Sequence, residues 1–177
     1  MNFQELIRKR YSVRAYKSDR VEDDKLARIL EAARLAPTAA NRQPFRILVF
    51  ETKGRESEFQ RIYGREWFTQ APLVLAICAV PGESWVRKYD GWNAAEVDAA
   101  IAMTHIVLAS ADEGLGTCWI AAFDPKAARE VLKLPDGLIP SAFTPLGYAA
   151  DTAAPKKRRP LSEIVTTGRP SSGSPAS

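Results

Sequence analysis

Between Asn93 and Glu113 the chain holds a stretch that, wound as a helix, carries apolar residues around much of its circumference: Ala94, Val97, Ala100, Ile101, Ile106, Val107, Leu108 and Ala111. A helix apolar nearly all round has no solvent face of its own and must be covered on several sides. At 177 residues one domain can form, burying roughly 70% of the surface its unfolded chain would expose. In so small a domain a partner subunit is a candidate cover for the remaining side. Gly114-Leu115-Gly116 closes the helix, with a glycine able to take positive φ at its C-terminal cap.

Other elements arrange themselves around this helix. Asn2 with Glu5 three residues later forms a capping-box pattern, so a short helix should run to about Arg10. Tyr11 to Tyr16 shows no helical face and is expected to be extended. A second helix, Glu22 to Ala36, presents Leu26, Ile29, Leu30, Ala33 and Leu35 and is stopped by Pro37. Strands are expected at Phe45–Glu51, Pro72–Val80, Thr117–Ala122 and Ser141–Tyr148. The second of these is apolar throughout, as befits a strand covered on both faces. Asp124 and Pro125 should start a helix ending near Leu134. Strands and helices interleave, so the expected class is α+β, a three-layer α/β/α sandwich on a mixed, mainly antiparallel sheet. Residues 1–167 read as a single domain and 168–177, rich in Gly, Pro and Ser, as a disordered tail. Pro160 to Val165 is apolar enough to dock on something, with a neighbouring subunit as one choice.

Several function classes lack their residues. No apolar run approaches the ~20 residues of a membrane span, and the N-terminal MNFQELIRKR does not read as a signal peptide. Cys78 and Cys118 both lie in apolar runs; a reduced, cytoplasmic chain is the simpler reading and a disulfide the alternative. The one histidine, His105, lies within the apolar helix, where a packed or interface role fits better than catalysis. No GxSxG elbow, P-loop or GxGxxG accompanies it, and common zinc sites need more ligands. Nucleic acid is disfavoured as a partner because no zinc motif, basic recognition helix or RNA-binding signature is present. An enzyme built from these side chains would need a cofactor for its reactivity.

What the chain does offer is anion and amide contacts. Arg10, Ser12 and Arg14 alternate along an extended segment and so share one face. Guanidinium forks flanking a hydroxyl suit a phosphate, because charge-assisted bidentate bonds are strong and directional. Lys156 and Arg158 alternate in the same way near the other end of the chain. Asn41 and Gln43 place amides, which donate and accept, on the loop after Pro37. Together these features fit a ligand with a phosphate at one end and a heteroaromatic edge at the other, a description that FMN satisfies.

Five ordered segments carry a resemblance: RKRYSVRAY at 8–16, APTAANRQPF at 36–45, VDAAIAMTHIVLASADEGLGTCWIAAF at 97–123, PLGYA at 145–149 and PKKRRPLSEIV at 155–165. In this order, and over nearly the whole chain, they resemble the nitroreductase family. The resemblance implies a homodimer with two flavins at the subunit interface. It implies that Arg10, Ser12 and Arg14 grip the FMN phosphate and ribityl chain, that Tyr11 adds a main-chain contact, and that Lys156 and Arg158 complete the phosphate site. Asn41 corresponds to the residue facing the polar edge of the ring, with Gln43 beside it. Pro37, Thr38, Ala39 and Ala40 match the stretch that reaches the other subunit's flavin. Trp119, Ile120, Ala121 and Ala122 match the strand passing along the ring, where a main-chain N–H faces N5.

Three departures stand out. Some members of the family carry glutamate where this chain has Ala121, glycine where it has Ala122, and an aromatic where it has Ala40. A carboxylate near N5 and a stacking ring over the substrate are therefore absent. The segment from Gly64 to Gly91, with Trp67, Phe68, Trp85 and Tyr89, and with Trp92 just beyond it, has no firm match; a lid over the flavin and aromatics packed on the sheet are the two readings. The implied reaction takes hydride from NADH or NADPH to the flavin and then to a small acceptor such as a nitroaromatic, quinone or enone. Same-fold flavin enzymes of other chemistry (dehalogenase, dehydrogenase, flavin-fragmenting) and a non-catalytic flavin-binding module are the alternatives.

Overall fold

The computed structural model describes residues 1–168. The tail expected from 168 onward therefore lies, past Gly168, outside the described residues. In chain order the elements are α1 (Phe3–Lys9), α2 (Asp23–Arg34), β1 (Phe45–Glu51), α3 (Glu56–Ile62), β2 (Leu73–Ala79), α4 (Ala95–Asp112), β3 (Gly116–Thr117), α5 (Pro125–Leu132), β4 (Ile139–Gly147) and α6 (Leu161–Ile164). The capping box at the start is formed as its sequence demands. Asn2 Oδ1 accepts the Glu5 N–H at 2.9 Å, and Glu5 Oε2 accepts the Asn2 N–H at 3.2 Å. Asp124 caps α5 by accepting from the N–H groups of Lys126 and Ala127, with Pro125 in the first turn.

The sheet has the order β1-β2-β4-β3, and its named strand pairs are antiparallel. The parallel element is an isolated bridge between Ser12 and Thr117. Strand β2 shows how the two covered faces are built. Leu75, Ile77 and Ala79 point to one face and join Ile29 and Ala33 of α2 and Met103 and Ile106 of α4 in a core. Val74 and Ala76 point to the other and meet Phe59, Ile62, Phe68, Ala128 and Phe143. Period-two alternation thus splits one apolar strand between two helical layers, giving the expected sandwich.

The strand expected over Thr117–Ala122 is shorter than its apolar character suggests. Only Gly116 and Thr117 pair as β3, after which a single bridge joins Ile120 to Phe143 with two N–H···O bonds of 2.9 Å. Ile120 is buried while Trp119, Ala121 and Ala122 are exposed, so the alternation survives without a continuous ladder.

Helix α4 is covered by α2 and the sheet and touched by α1. One stripe stays open: Val97 is 47% exposed, Thr104 is exposed, and Ile101 and Leu108 are half-buried. These positions recur at helical spacing and make a single line. Among the described residues, no helix is long and apolar enough to cross a membrane.

Candidate functional site

The extended segment after α1 is stitched into the sheet from both sides. Val13 N–H donates to Thr117 O at 2.9 Å, Lys17 N–H to Tyr148 O at 2.9 Å, and Ala150 N–H to Ala15 O at 2.8 Å. Val13 and Tyr16 turn inward and are buried, and the Tyr16 hydroxyl donates to Val13 O at 3.0 Å. Arg14 is thereby left facing out, with Ser12 half-buried beside it.

The far end of the chain closes onto this segment. Asp151 Oδ2 accepts the Arg14 main-chain N–H at 2.7 Å, and the Tyr11 hydroxyl donates to Asp151 O at 2.9 Å and to its Oδ1 at 3.1 Å. Burial first, and the Asp151 contact second, raise the Tyr11 pKa and keep it a donor. Lys156 Nζ donates to Ile7 O at 2.8 Å and also to Arg8 O, carbonyls in the last turn of α1. A helix C-terminus leaves such carbonyls unpaired and favours a cation there.

The result is a cleft of about 220 Å³ lined by Arg10, Tyr11, Ser12, Arg14, Ala154, Pro155, Lys156, Lys157 and Arg158. Five of these are cations and none is a carboxylate. Partial desolvation, then the positive charge of Arg10 and Arg158, lower the Lys156 pKa. Among the described residues no carboxylate forms an ion pair with Arg10, Arg14, Lys156 or Arg158. Like charges gathered without counter-charge fit a dianionic group, so the donor set suits the phosphate of FMN. A larger groove of about 670 Å³, bordered by Arg20, Asp23, Glu51, Lys53 and Glu56, mixes both signs and contains none of the expected site residues.

Loop 37–43 is elsewhere. Ala40, Asn41 and Gln43 have φ of 50°, 55° and 47°, left-handed values that non-glycine residues rarely adopt. Thr38 Oγ1 accepts the Gln43 N–H at 3.1 Å, and the Gln43 amide donates to the Asn41 carbonyl and side chain. The Ala39 N–H donates to Asp98 Oδ1 at 2.9 Å, tying the loop to the start of α4. Arg10 and Tyr11, by contrast, share a cavity of about 200 Å³ with Ala111 and Gly114 at the end of α4. From Asp98 to Ala111 the helix rises about 20 Å. In the chain the expected site residues thus fall into two separate groups, or half-sites. Arg10, Tyr11, Ser12, Arg14, Lys156 and Arg158 line one cleft, while Trp119–Ala122 follow β3 in the chain and do not line it. Pro37 through Gln43 form the second group, tied to the start of α4.

The aromatic segment divides as well. Phe68 is buried and Trp67 packs edge-on against Tyr63, ring centres 5.6 Å apart. Trp85, Tyr89 and Trp92 are exposed on a hairpin where Val86 bridges Asn93 and the Arg87 guanidinium lies 5.0 Å from the Trp92 ring centre. His105 lies outside both half-sites, Nδ1 2.9 Å from Ala32 O. Sequence reasoning missed Asp98 and Asp151. Asp98 left a trace, as the one acid in the apolar stretch from Val97 to Ala111. Asp151 left none, because its partners are over a hundred residues away.

The model of the nitroreductase family matches residues 7–64 and 55–148. The chain belongs to that family. Within it, the chain is similar to the FMN reductase [NAD(P)H] of Bacillus subtilis, 30% identical over 86% of this chain and 68% of that protein. It is also similar to the NADH dehydrogenase of Thermus thermophilus, 29% identical over 89% and 91% of the two chains. The crystal structure of a nitroreductase family protein from Clostridium difficile matches the fold with a TM-score of 0.87 and 36% identity, covering 94% of this chain and 98% of that one. The nitroreductase fold expected from the sequence resemblance is the fold observed.

Proposed function

We propose that this nitroreductase-family chain is an FMN-dependent NAD(P)H oxidoreductase whose residues 1–167 act as one flavin-binding unit, working as a homodimer with two flavins between its subunits. The carrying observation is the convergence of five unneutralised cations from both chain ends on one cleft, with the amide-bearing loop at the opposite end of α4. A flavin seated by its phosphate in the cleft of one copy meets loop 37–43 of the other, so neither half-site works alone. The open stripe on α4 supports this arrangement, as do the exposed Leu161, Ile164 and Val165, because a second copy would remove these apolar side chains from water.

The residues then divide the labour. Arg10, Arg14, Lys156 and Arg158 hold the phosphate by charge-assisted bonds, with Ser12 between the guanidinium groups and Tyr11 held in place by Asp151. Asn41 meets the polar edge of the ring, with Gln43 orienting its amide. The exposed Ala121 and Ala122 would pass along the ring by their main chain. When bound, FMN supplies the redox chemistry, accepting two electrons from NADH or NADPH and passing them to a small acceptor such as a nitroaromatic, quinone or enone. The chain contributes proximity and orientation. Solvent water would supply protons, since His105 stands apart with Nδ1 on Ala32 O and burial raises the Cys118 pKa, making its thiol a poorer acid.

Visible spectroscopy of the purified protein, before and after anaerobic NAD(P)H, combined with its mass in solution, tests this reading. A yellow dimer that bleaches and is reoxidised by a quinone is expected. A colourless monomer that takes up no FMN would overturn it.

A further inference from the structure

Asp98 is 2% exposed and lies in the first turn of α4, where Oδ1 accepts the Ala39 N–H at 2.9 Å and Oδ2 has no partner among the described residues. Burying a carboxylate with one oxygen unsatisfied is unfavourable, and an apolar residue of similar volume often serves stability as well or better. Helix α4 does not need this acid for its dipole, because Glu96 in the same turn is solvent-exposed and serves that purpose. A buried carboxyl with one oxygen unsatisfied points to a role outside the helix. Its one partner is the backbone immediately before Ala40, Asn41 and Gln43, three left-handed residues without a glycine among them. Such a conformation persists only where the surroundings over-determine it.

We infer that Asp98 is the positioning residue of the flavin-edge loop: its carboxylate fixes Ala39 and thereby sets the left-handed turn that presents the Asn41 amide. This rests on the reading that Asn41 meets the flavin. The bond to a charged acceptor is stronger than a neutral one and holds the point at which the turn begins. Thr38 Oγ1, accepting from Gln43 N–H, closes the far side of the same turn.

Hydrogen exchange on the flavin-free full chain tests the assignment without activity. Amides of residues 38–43 should exchange roughly tenfold faster in Asp98→Ala, the scale of one bond to a charged group. The rise should be smaller in Asp98→Asn, which keeps a neutral oxygen for Ala39. Ser110→Ala is the control, since Ser110 is also buried in α4 and its hydroxyl donates to Ile106 O within that helix. In NMR spectra the Ala39 amide proton should move upfield in Asp98→Asn, as its acceptor loses charge, which serves if Asp98→Ala fails to fold. With FMN added, Asp98→Ala should shift the bound-flavin spectrum towards that of free FMN, and Asp98→Asn should restore it in part. Unchanged loop exchange in Asp98→Ala, an equal rise in Ser110→Ala, or an unmoved Ala39 resonance in Asp98→Asn overturns the assignment. An unaltered protein that binds no FMN instead defeats the functional reading and leaves the exchange result standing.

Discussion

The carboxylate of Asp151 accepts the main-chain N–H of Arg14 at 2.7 Å. An acid beside a cleft meant for an anion should weaken binding, yet this one is turned onto backbone and onto the Tyr11 hydroxyl. The Arg10 and Arg14 side chains stay free for a ligand. Asp151 therefore acts as a latch between the two ends of the chain. Asp151→Ala should lower stability by about 0.5–1.5 kcal/mol, the net worth of an ordinary hydrogen bond, because the Tyr11 hydroxyl keeps the Asp151 main-chain carbonyl and only the exposed Arg14 N–H loses its partner. It should weaken FMN binding as well, while Asp151→Asn recovers part of both. Urea midpoints and FMN fluorescence titrations read the two effects, and an unchanged midpoint in Asp151→Ala would remove the latch.

Arg10→Ala and Arg14→Ala should each cost about 1.5–3 kcal/mol of FMN affinity, the range for hydrogen bonds to charged groups. Both residues line the cleft, and neither has a carboxylate partner there to release. Equilibrium dialysis of FMN against each variant gives the number. A doubly substituted protein that retains a full complement of flavin would rule out this cleft as the phosphate site.

Lys156 gives a pH dependence with a definite sign. Its folded pKa lies below the ordinary 10.5 through desolvation and then the nearby Arg10 and Arg158. Between the lowered value and 10.5 the unfolded chain binds more protons than the folded one, so flavin-free stability rises with pH across that window. Below it Lys156 is charged in both states and the repulsion is present in full. A bound phosphate supplies the missing counter-charge, so binding takes up a proton in the window and FMN affinity falls as pH rises through it. Titrations from neutral to alkaline pH should show this fall, and Lys156→Met should flatten it.

Local chemistry was legible where neighbours in sequence decide the outcome. Asn2 with Glu5 forms its capping box, Asp124 with Pro125 starts α5, and Phe45–Glu51 is a strand at the bounds its pattern implies. Legibility fails where the deciding partner is remote. Thr117–Ala122 has strand composition, but after Thr117 the chain keeps only the Ile120–Phe143 bridge, a fact set by how β4 passes it. The basic cleft could be read because alternating basic residues mark it. The loop half could be located but not placed, since only the Ala39–Asp98 contact shows that it occupies the opposite end of α4.

Both thiols should be inert in the folded protein. Burial pushes Cys78 up to about 11, with Arg129 pulling weakly the other way, and burial likewise raises Cys118 against the pull of Arg14. The thiolate is the reactive form, so at neutral pH neither should react with Ellman's reagent until urea is added. Prompt labelling of Cys118 in native protein would mean that the segment after β3 opens.

Gly116 reports on how tightly the basic cleft is backed. Gly114 has φ of 78° and ends the helix as glycine must, but Gly116 has no such constraint. What it lacks is room: a Cβ there would lie 2.7 Å from Val13 Cγ2 and 3.1 Å from Val13 Cβ. Val13 is 1% exposed, and its branched side chain has few rotamers to escape into. Gly116→Ala should therefore push the backbone between Ser12 and Arg14, costing about 1–3 kcal/mol as overpacking does, and FMN affinity should fall with stability although no ligand contact has been removed. Val13→Ala on its own leaves a small cavity, but combined with Gly116→Ala it removes the clashing methyls. The double variant should then be more stable than the two single losses summed, by a coupling of about 0.5–3 kcal/mol. Strict additivity in urea unfolding would mean that the two residues do not press on one another, and that something other than β3 sets the direction in which Ser12 and Arg14 face.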